Sequence, residues 1–153
     1  MATAMFGERV QRLADAKLVR GEGRYIDDIP LEGALHVAFV RSPFARAKIL
    51  SIDCEAAREM DGVAAVYTCD DLGRLDLEMP LLIPHPSLTE PRTQRPLAKG
   101  EVFHVGQTVA MVVAVDRYTA EDAIRMVDVD YEPLEVELDL EAAIKVDAPR
   151  VHA

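Results

Sequence analysis

VGQTVAMVVAVDRYTAEDAIRMVDVDYEPL, residues Val105 to Leu134, decides how the chain is read, because strand, turn, helix and strand follow one another in it with distinct periodicities. Val109 to Val115 is an apolar run bounded by Gly106 and Asp116, far shorter than a membrane span of ~20 residues. It predicts a strand buried on both faces. Thr119 is the expected N-cap of a helix, with Asp122 placed to return the bond in a variant capping box. Ala120, Ala123, Ile124 and Val127 form one apolar stripe, and Glu121 and Arg125 an expected ion pair on the outer side. After Val127 the period falls to about 2. Val129 and Tyr131 then point inward and Asp128, Asp130 and Glu132 outward, until Pro133 removes a ladder donor. The stretch predicts a β-α-β unit.

Outward from it, a second unit of the same order is predicted at residues 47–68. Ala47 to Ile52 is a strand, and Asp53 is the expected N-cap of a helix with Ala56, Ala57 and Met60 inward. Asp61-Gly62 closes that helix, and Val63 to Thr68 is the next strand. If either crossover joins parallel strands of one sheet, it should be right-handed. Upstream, Gly33 marks a turn before Leu35 to Arg41, an apolar run that predicts a central strand ended by Ser42-Pro43. Between the units, Arg74 to Lys99 holds five of the nine prolines, which excludes a central strand or long helix and predicts an ordered, irregular loop. Beyond Leu134, Val136 and Leu138 continue an alternation. Asp139 caps a last helix with Leu140, Ala143 and Ile144 inward. At the start, Val10, Leu13 and Leu18 are apolar without clean period, and a short helix from Asp15 to Val19 is stopped by Gly21. The expected organisation is a lead-in at 1–20, one domain at 21–146 containing the loop 74–99, and a tail at 147–153.

With 153 residues, half of them hydrophobic, the chain has the size and composition of one folded domain. Its 27 acidic residues against 17 Lys and Arg leave a net charge of -10, which repels phosphate backbones and anionic membranes. Neither nucleic acid nor membrane is an expected partner. The N-terminal stretch lacks the basic region and apolar core of a signal peptide, so a cytoplasmic location is expected.

The search for chemistry returns little. Cys54 and Cys69 are the only cysteines, too few for a four-thiolate iron–sulfur cluster. Cys54 at a helix start is a reactive-thiol candidate, although a small buried apolar role fits it better. His36, His85, His104 and His152 are scattered without metal-ligand spacing, and only His85, between Pro84 and Pro86, suits recognition. Asp27-Asp28 and Asp70-Asp71 are adjacent pairs whose side chains diverge, so capping and turn roles suit them better than a shared proton. Arg41 is expected to be a buried or interface cation paired with a carboxylate. Gly21-Glu22-Gly23 lacks the third glycine, the preceding strand and the following helix of a phosphate loop, and reads as a turn. No catalytic, cofactor-binding or metal-ligating residue is assigned in this chain.

Several ordered blocks together resemble the start of the large subunit of molybdenum hydroxylases, the family of xanthine dehydrogenase, aldehyde oxidase and aerobic carbon monoxide dehydrogenase. They include Gly21-x-Gly23-x-Tyr25-x-Asp27-Asp28-Ile29, Gly33-Ala34-Leu35-His36, Phe39-Val40-Arg41-Ser42-Pro43, Ile52-Asp53 and Gly62-Val63. Arg95-Pro96-Leu97-Ala98, Val105-Gly106, Val109-Ala110, Asp116-Arg117-Tyr118 and Val129-Asp130-Tyr131-Glu132-Pro133-Leu134 continue the series, and the similarity is strongest to the carbon monoxide dehydrogenase-like branch. The sequence departs from the family pattern at Arg46, where many members have histidine, and at Gln107, where glutamate is usual.

The resemblance implies an α+β chain with the α/β-hammerhead fold, expected as a mixed sheet with two short β-α-β units. It also implies a structural role in a molybdenum-dependent oxidoreductase whose catalytic glutamate and molybdopterin-binding segments lie in later domains. The molybdopterin-type cofactor, iron–sulfur clusters and FAD would then sit elsewhere in the complex, the partners being the remaining large-subunit domains and the iron–sulfur and flavin subunits. The chain by itself is expected to be inactive, a piece or a separately encoded part of a longer subunit. An alternative is a stand-alone binding or prosthetic-group carrier related to barrel-sandwich domains. Of Lys17, Lys48, Lys99 and Lys145, only Lys99 in Ala98-Lys99-Gly100 suits such a carrier.

Overall fold

The computed structural model describes residues 7, 11–88 and 92–152. The chain divides into two units, residues 1–34 and 35–153. In the first, α1 (Asp15–Val19) forms as expected and Gly21 follows it with φ +70°. A single 3-10 turn, Ile26–Asp28, is closed by the Asp28 carboxylate, which accepts from the Tyr25 amide at 2.9 Å. Leu13 is exposed, and Val10 lies outside the described residues.

The second unit runs β1 (His36–Arg41), β2 (Ala47–Asp53), α2 (Glu55–Arg58), β3 (Val63–Thr68), a 3-10 segment (Cys69–Leu75), β4 (Glu101–Val102), β5 (Thr108–Ala114), α3 (Arg117–Ala123), a 3-10 turn (Ile124–Met126), β6 (Asp128–Pro133) and α4 (Leu140–Ala143). The α+β hammerhead expectation holds, with a correction to its sheets. In place of one mixed sheet there are two three-stranded sheets, β1-β5-β3 and β4-β2-β6, paired antiparallel throughout. The reason is length. A four-residue helix rises about 6 Å, whereas a six-residue strand spans about 20 Å, so α2 is too short to carry the chain back beside its own strand in parallel. Each β-α-β crossover instead passes between sheets, β2 to β3 through α2 and β5 to β6 through α3.

β5 is the strand around which the core forms. Val109, Ala110, Val112 and Ala114 are buried, and Met111 and Val113 half-buried. On one side Ala110 and Val112 pack with Val66, Cys54 and Ala57 against Ala123 and Val127 from the helical crossovers. Val109, on the other side, joins Ala47, Ala98 and Val102 in a second cluster, edged by Phe44 and Tyr131 with ring centroids 5.2 Å apart. The stripe Ala120, Ala123 and Val127 is buried as expected, with Ile124 half-buried. Val129 and Tyr131 alternate with exposed Asp128, Asp130 and Glu132.

Several local expectations are corrected. α3 begins three residues early because Asp116, directly after the strand, takes both the amide and the hydroxyl of Thr119 at 2.9 Å and is itself the N-cap. Arg117 pairs with Glu121 at 3.0 Å, and Arg125, in the 3-10 turn that follows, lies 3.9 Å from Asp122 in place of the expected Glu121. β1 is an edge strand, not a central one, since it pairs with β5 alone. At α2 the N-cap position falls on Cys54, while the Asp53 carboxylate accepts from the Glu55 amide at 2.9 Å. Ala57 is buried there and Met60 half-buried, but Ala56 is exposed. Asp139 caps α4 as expected, accepting from the Ala142 amide at 2.7 Å, yet Leu140, Ala143 and Ile144 are exposed. Val136 and Leu138 are exposed outside any strand.

Gly62 turns the chain from α2 into β3 at φ +86°, and a β-carbon there would lie 3.1 Å from Val115 Cγ2 and 3.2 Å from Thr119 Cγ2. Backbone strain of roughly 1–2 kcal/mol adds to this crowding. Gly62→Ala should therefore lower the free energy of unfolding by at least that much, read as a lower midpoint of urea unfolding with an unchanged slope.

Candidate functional site

The proline-rich segment folds back on the second unit through one carboxylate, Asp76. After the 3-10 segment Cys69–Leu75, the Asp76 side chain accepts from Lys99 Nζ at 2.5 Å, from Arg95 Nη1, and from the Cys69 thiol at 3.1 Å. Arg95 Nη1 also donates to the Asp76 carbonyl at 2.8 Å, and Lys99 Nζ lies 3.3 Å from Asp70. Both ends of the loop are thereby fastened at one point. Within it, the Met79 amide donates to the Gln94 carbonyl at 3.0 Å and the Thr93 hydroxyl donates to the Met79 carbonyl. The returning strand of the loop joins the core, since the Ala98 amide donates to the Thr108 carbonyl at 2.8 Å and Thr108 Oγ1 to the Pro96 carbonyl at 2.9 Å. Leu97 and Ala98 are buried there.

The electrostatics follow from these contacts. Lys99 first, then the thiol of Cys69 and the guanidinium of Arg95, hold the Asp76 carboxyl down to about 2. The same bonds, to Asp76 and then Asp70, raise the Lys99 ammonium. Burial, then the hydrogen bond to Asp76, pushes the Cys69 thiol up to about 11. Burial also raises Cys54. Both thiols are thus protonated and inert at neutral pH, in keeping with the small-apolar reading of Cys54. In the native chain Cys69 should react with a thiol reagent at pH 8 about a hundredfold more slowly than a free cysteine, and Cys54 should also be slowed. In denaturant two thiols per chain should react at once.

A cleft of about 410 Å³ opens between the loop and the core, lined in part by Arg92, Arg95, Lys99, His104, Gln107 and His152. Its floor is built by the turn before β5. The Phe103 amide donates to the buried Gln107 Oε1 at 2.7 Å, the Ser42 amide to the Gln107 carbonyl at 2.9 Å, and the Gly106 amide to the Ser42 carbonyl at 2.8 Å. His152 stacks near Phe103, with centroids 4.6 Å apart. The structure brings His104 and His152 to one cleft and leaves His85 on the loop, where its ring bonds Ser87 at 2.7 Å, and His36 exposed on the edge strand.

Other candidates resolve into structural roles. Asp71 takes the amide and hydroxyl of Thr68 at 2.7 and 2.8 Å, and Asp70 faces Lys99. Arg41 is exposed. Its Nη1 donates to the Gly106 carbonyl at 2.8 Å and its guanidinium lies 5.6 Å over the Phe39 ring, which corrects the expectation of a buried carboxylate pair. Arg46 has its Nη2 3.9 Å from Glu101 and is half-buried. Lys99 is exposed, but its ammonium is engaged by the carboxylates of Asp76 and Asp70, unlike the free amine that a prosthetic-group carrier needs. Among the described residues no group of three or more His, Cys, Asp or Glu is placed to hold a metal ion. Two separate, buried, protonated thiols do not suit an iron–sulfur cluster. Sequence reading found the loop but missed Asp76 as its anchor, because its partners stand 19 and 23 residues away.

Comparison with known proteins gives this arrangement a context. The family model described as aldehyde oxidase and xanthine dehydrogenase, a/b hammerhead domain, matches residues 20–135. The chain is 44% identical over 144 residues to the carbon monoxide dehydrogenase large chain of Afipia carboxidovorans, covering 94% of this chain and 17% of that protein. It is 42% identical over 141 residues to the nicotine 6-hydroxylase large subunit of Paenarthrobacter nicotinovorans, covering 92% of this chain and 17% of that protein. Among solved structures, a Cu,Mo-CO dehydrogenase superposes with a TM-score of 0.79 at 44% identity, over 94% of this chain and 17% of the other. The aldehyde oxidoreductase from Desulfovibrio desulfuricans superposes at 0.82 and 27% identity, over 97% of this chain and 17% of the other. The chain therefore spans 17% of the length of these relatives. Fold, family model and relatives agree that this chain belongs to the aldehyde oxidase and xanthine dehydrogenase family, whose α/β-hammerhead domain it carries.

Proposed function

We propose that this chain is the structural N-terminal domain, or a separately encoded piece, of the molybdenum-cofactor subunit of a molybdenum hydroxylase-type oxidoreductase. The reaction class is hydroxylation of an aldehyde, purine or N-heterocycle, or oxidation of carbon monoxide. The observation that carries the reading is the match of nearly the whole chain to 17% of large subunits from such enzymes. The hammerhead domain occupies residues 21–146, and 147–153 leads toward the cofactor-bearing polypeptide. Molybdopterin-type cofactor, iron–sulfur clusters and FAD belong to the remaining large-subunit domains and to iron–sulfur and flavin subunits, and the assembly works in the cytoplasm. Bound there, the molybdenum cofactor supplies the redox chemistry. This chain's own contribution is a rigid scaffold, with the Asp76-anchored loop shaping a substrate path or a subunit contact.

The test is reconstitution. The remaining large-subunit polypeptide and its partner subunits should oxidise a substrate from this panel, with an artificial electron acceptor, only when the chain is supplied. Equal activity without it, or failure of the chain to associate at all, contradicts the reading.

A further inference from the structure

The sheet β1-β5-β3 has two faces of unlike fate. Its inner face lies beneath α2 and α3, but the outer face carries two complete rungs that stay open. They are Val37, Val113 and Ala65, then Phe39, Met111 and Tyr67, aligned across the three strands by their pairing. Val37 is 49% exposed, Phe39 37% and Tyr67 37%, while Ala65, Met111 and Val113 are half-buried. No charged side chain interrupts these rungs. One step further along β5 the same face reaches Val109, which is fully covered by the second core cluster, so the open patch continues a packed core. At its rim the Arg41 guanidinium lies over Phe39. An aromatic and methionine centre with a rim arginine is the composition of a protein interface core.

We propose that this face is the seat of the remaining large-subunit polypeptide, which meets it with an apolar surface, an acceptor for the Tyr67 hydroxyl and a carboxylate near Arg41. The inference rests on the functional reading above and adds to it which surface is used. The occupant follows from length and charge. The relatives carry most of their chain outside the region matched here, since this chain covers 17% of them. A second copy would set two chains of net charge -10 against each other, and the absence of lysine from the two rungs gives an anionic lipid or a nucleic acid nothing to bind.

The experiment co-expresses the chain with the remaining large-subunit polypeptide and measures assembly by native mass spectrometry and titration. The double variant Phe39→Asp, Tyr67→Asp should weaken assembly by on the order of 100-fold. Tyr118→Asp, at an exposed aromatic on α3 outside the face, should leave it unchanged. Because a variant can fail by misfolding, the unmodified chain supplies a second readout. Tyr67 should be nitrated readily in the isolated chain and be protected in the assembly, with Tyr118 labelled equally in both. Assembly of the double variant within about threefold of the original, or equal nitration of Tyr67 in both states, overturns this inference alone and leaves the functional reading standing. Loss of a homodimer of the isolated chain on introducing the double variant would assign the face to a second copy and also overturn it. No assembly with the unmodified chain removes both readings together.

Discussion

Val112→Asp should leave the chain unfolded at room temperature, whereas Val113→Asp, one residue along the same strand, should leave it folded. Val112 has no exposed surface and sits on the central strand, paired with Ala38 on one side and Val66 on the other, in the cluster with Ala57, Ala123 and Val127. A carboxylate there finds no cation among the members of that cluster, and an uncompensated buried charge costs about 3–5 kcal/mol. A domain of this size holds only about 5–15 kcal/mol of stability. Loss of the valine's own packing adds roughly 2 kcal/mol, and the two costs together equal the whole stability of a domain at the lower end of that range. Val113 points to the open face, where its carboxylate replacement stays solvated, and the cost should be about 1 kcal/mol. Circular dichroism in a urea titration separates the two. Equal destabilisation would mean that the register of β5 is misassigned.

Asp76→Asn should free the proline-rich loop without unfolding the sheets. The substitution removes the charge that holds Lys99, Arg95 and the Cys69 thiol at one point, so residues 77–96 lose their common anchor. Cleavage of the loop by pepsin near Leu81 and Leu82 should rise by on the order of tenfold, because it tracks the population of the opened loop. The pH dependence has a definite sign. The Asp76 carboxyl ordinarily titrates near 3.8 and is held down to about 2 by the fold, so its stabilisation is complete above about 4 and is lost as pH falls through about 2. The unmodified loop should therefore resist pepsin at pH 4 and approach the variant's cleavage rate near pH 2, while far-ultraviolet circular dichroism reports the rest of the fold. A loop cleaved equally fast in both proteins at pH 4 would show that Asp76 anchors nothing.

What could be read from residues alone was what depends on near neighbours. The switch from a 3.6-residue to a two-residue period at Val127 located α3 and β6, and the chain from Val63 to Thr68 formed the strand its β-branched residues predict. Sheet membership was not legible, since no local pattern states that β2 pairs with β6 while β3 pairs with β5. The apolar run from Leu35 to Arg41 suggested a central strand because burial by core and burial by a partner leave the same hydrophobic signature. The helix start was misplaced at Thr119 because two capping residues stood three apart, and only geometry shows that Asp116 takes the amide. The loop was visible through its prolines, but its anchor was not. Asp76 is one aspartate among many until the fold places Arg95 and Lys99 against it. The family resemblance supplied the hammerhead architecture that periodicity left open, and the comparisons bear it out.

In the proposed function this chain is scaffold for a redox centre carried by other polypeptide of the same subunit. Metal analysis of the purified assembly, before and after the chain is separated from its partner under non-denaturing conditions, tests it most directly. Molybdenum is expected with the partner polypeptide and none with the separated chain. Molybdenum recovered in stoichiometric amount on the chain itself would contradict it.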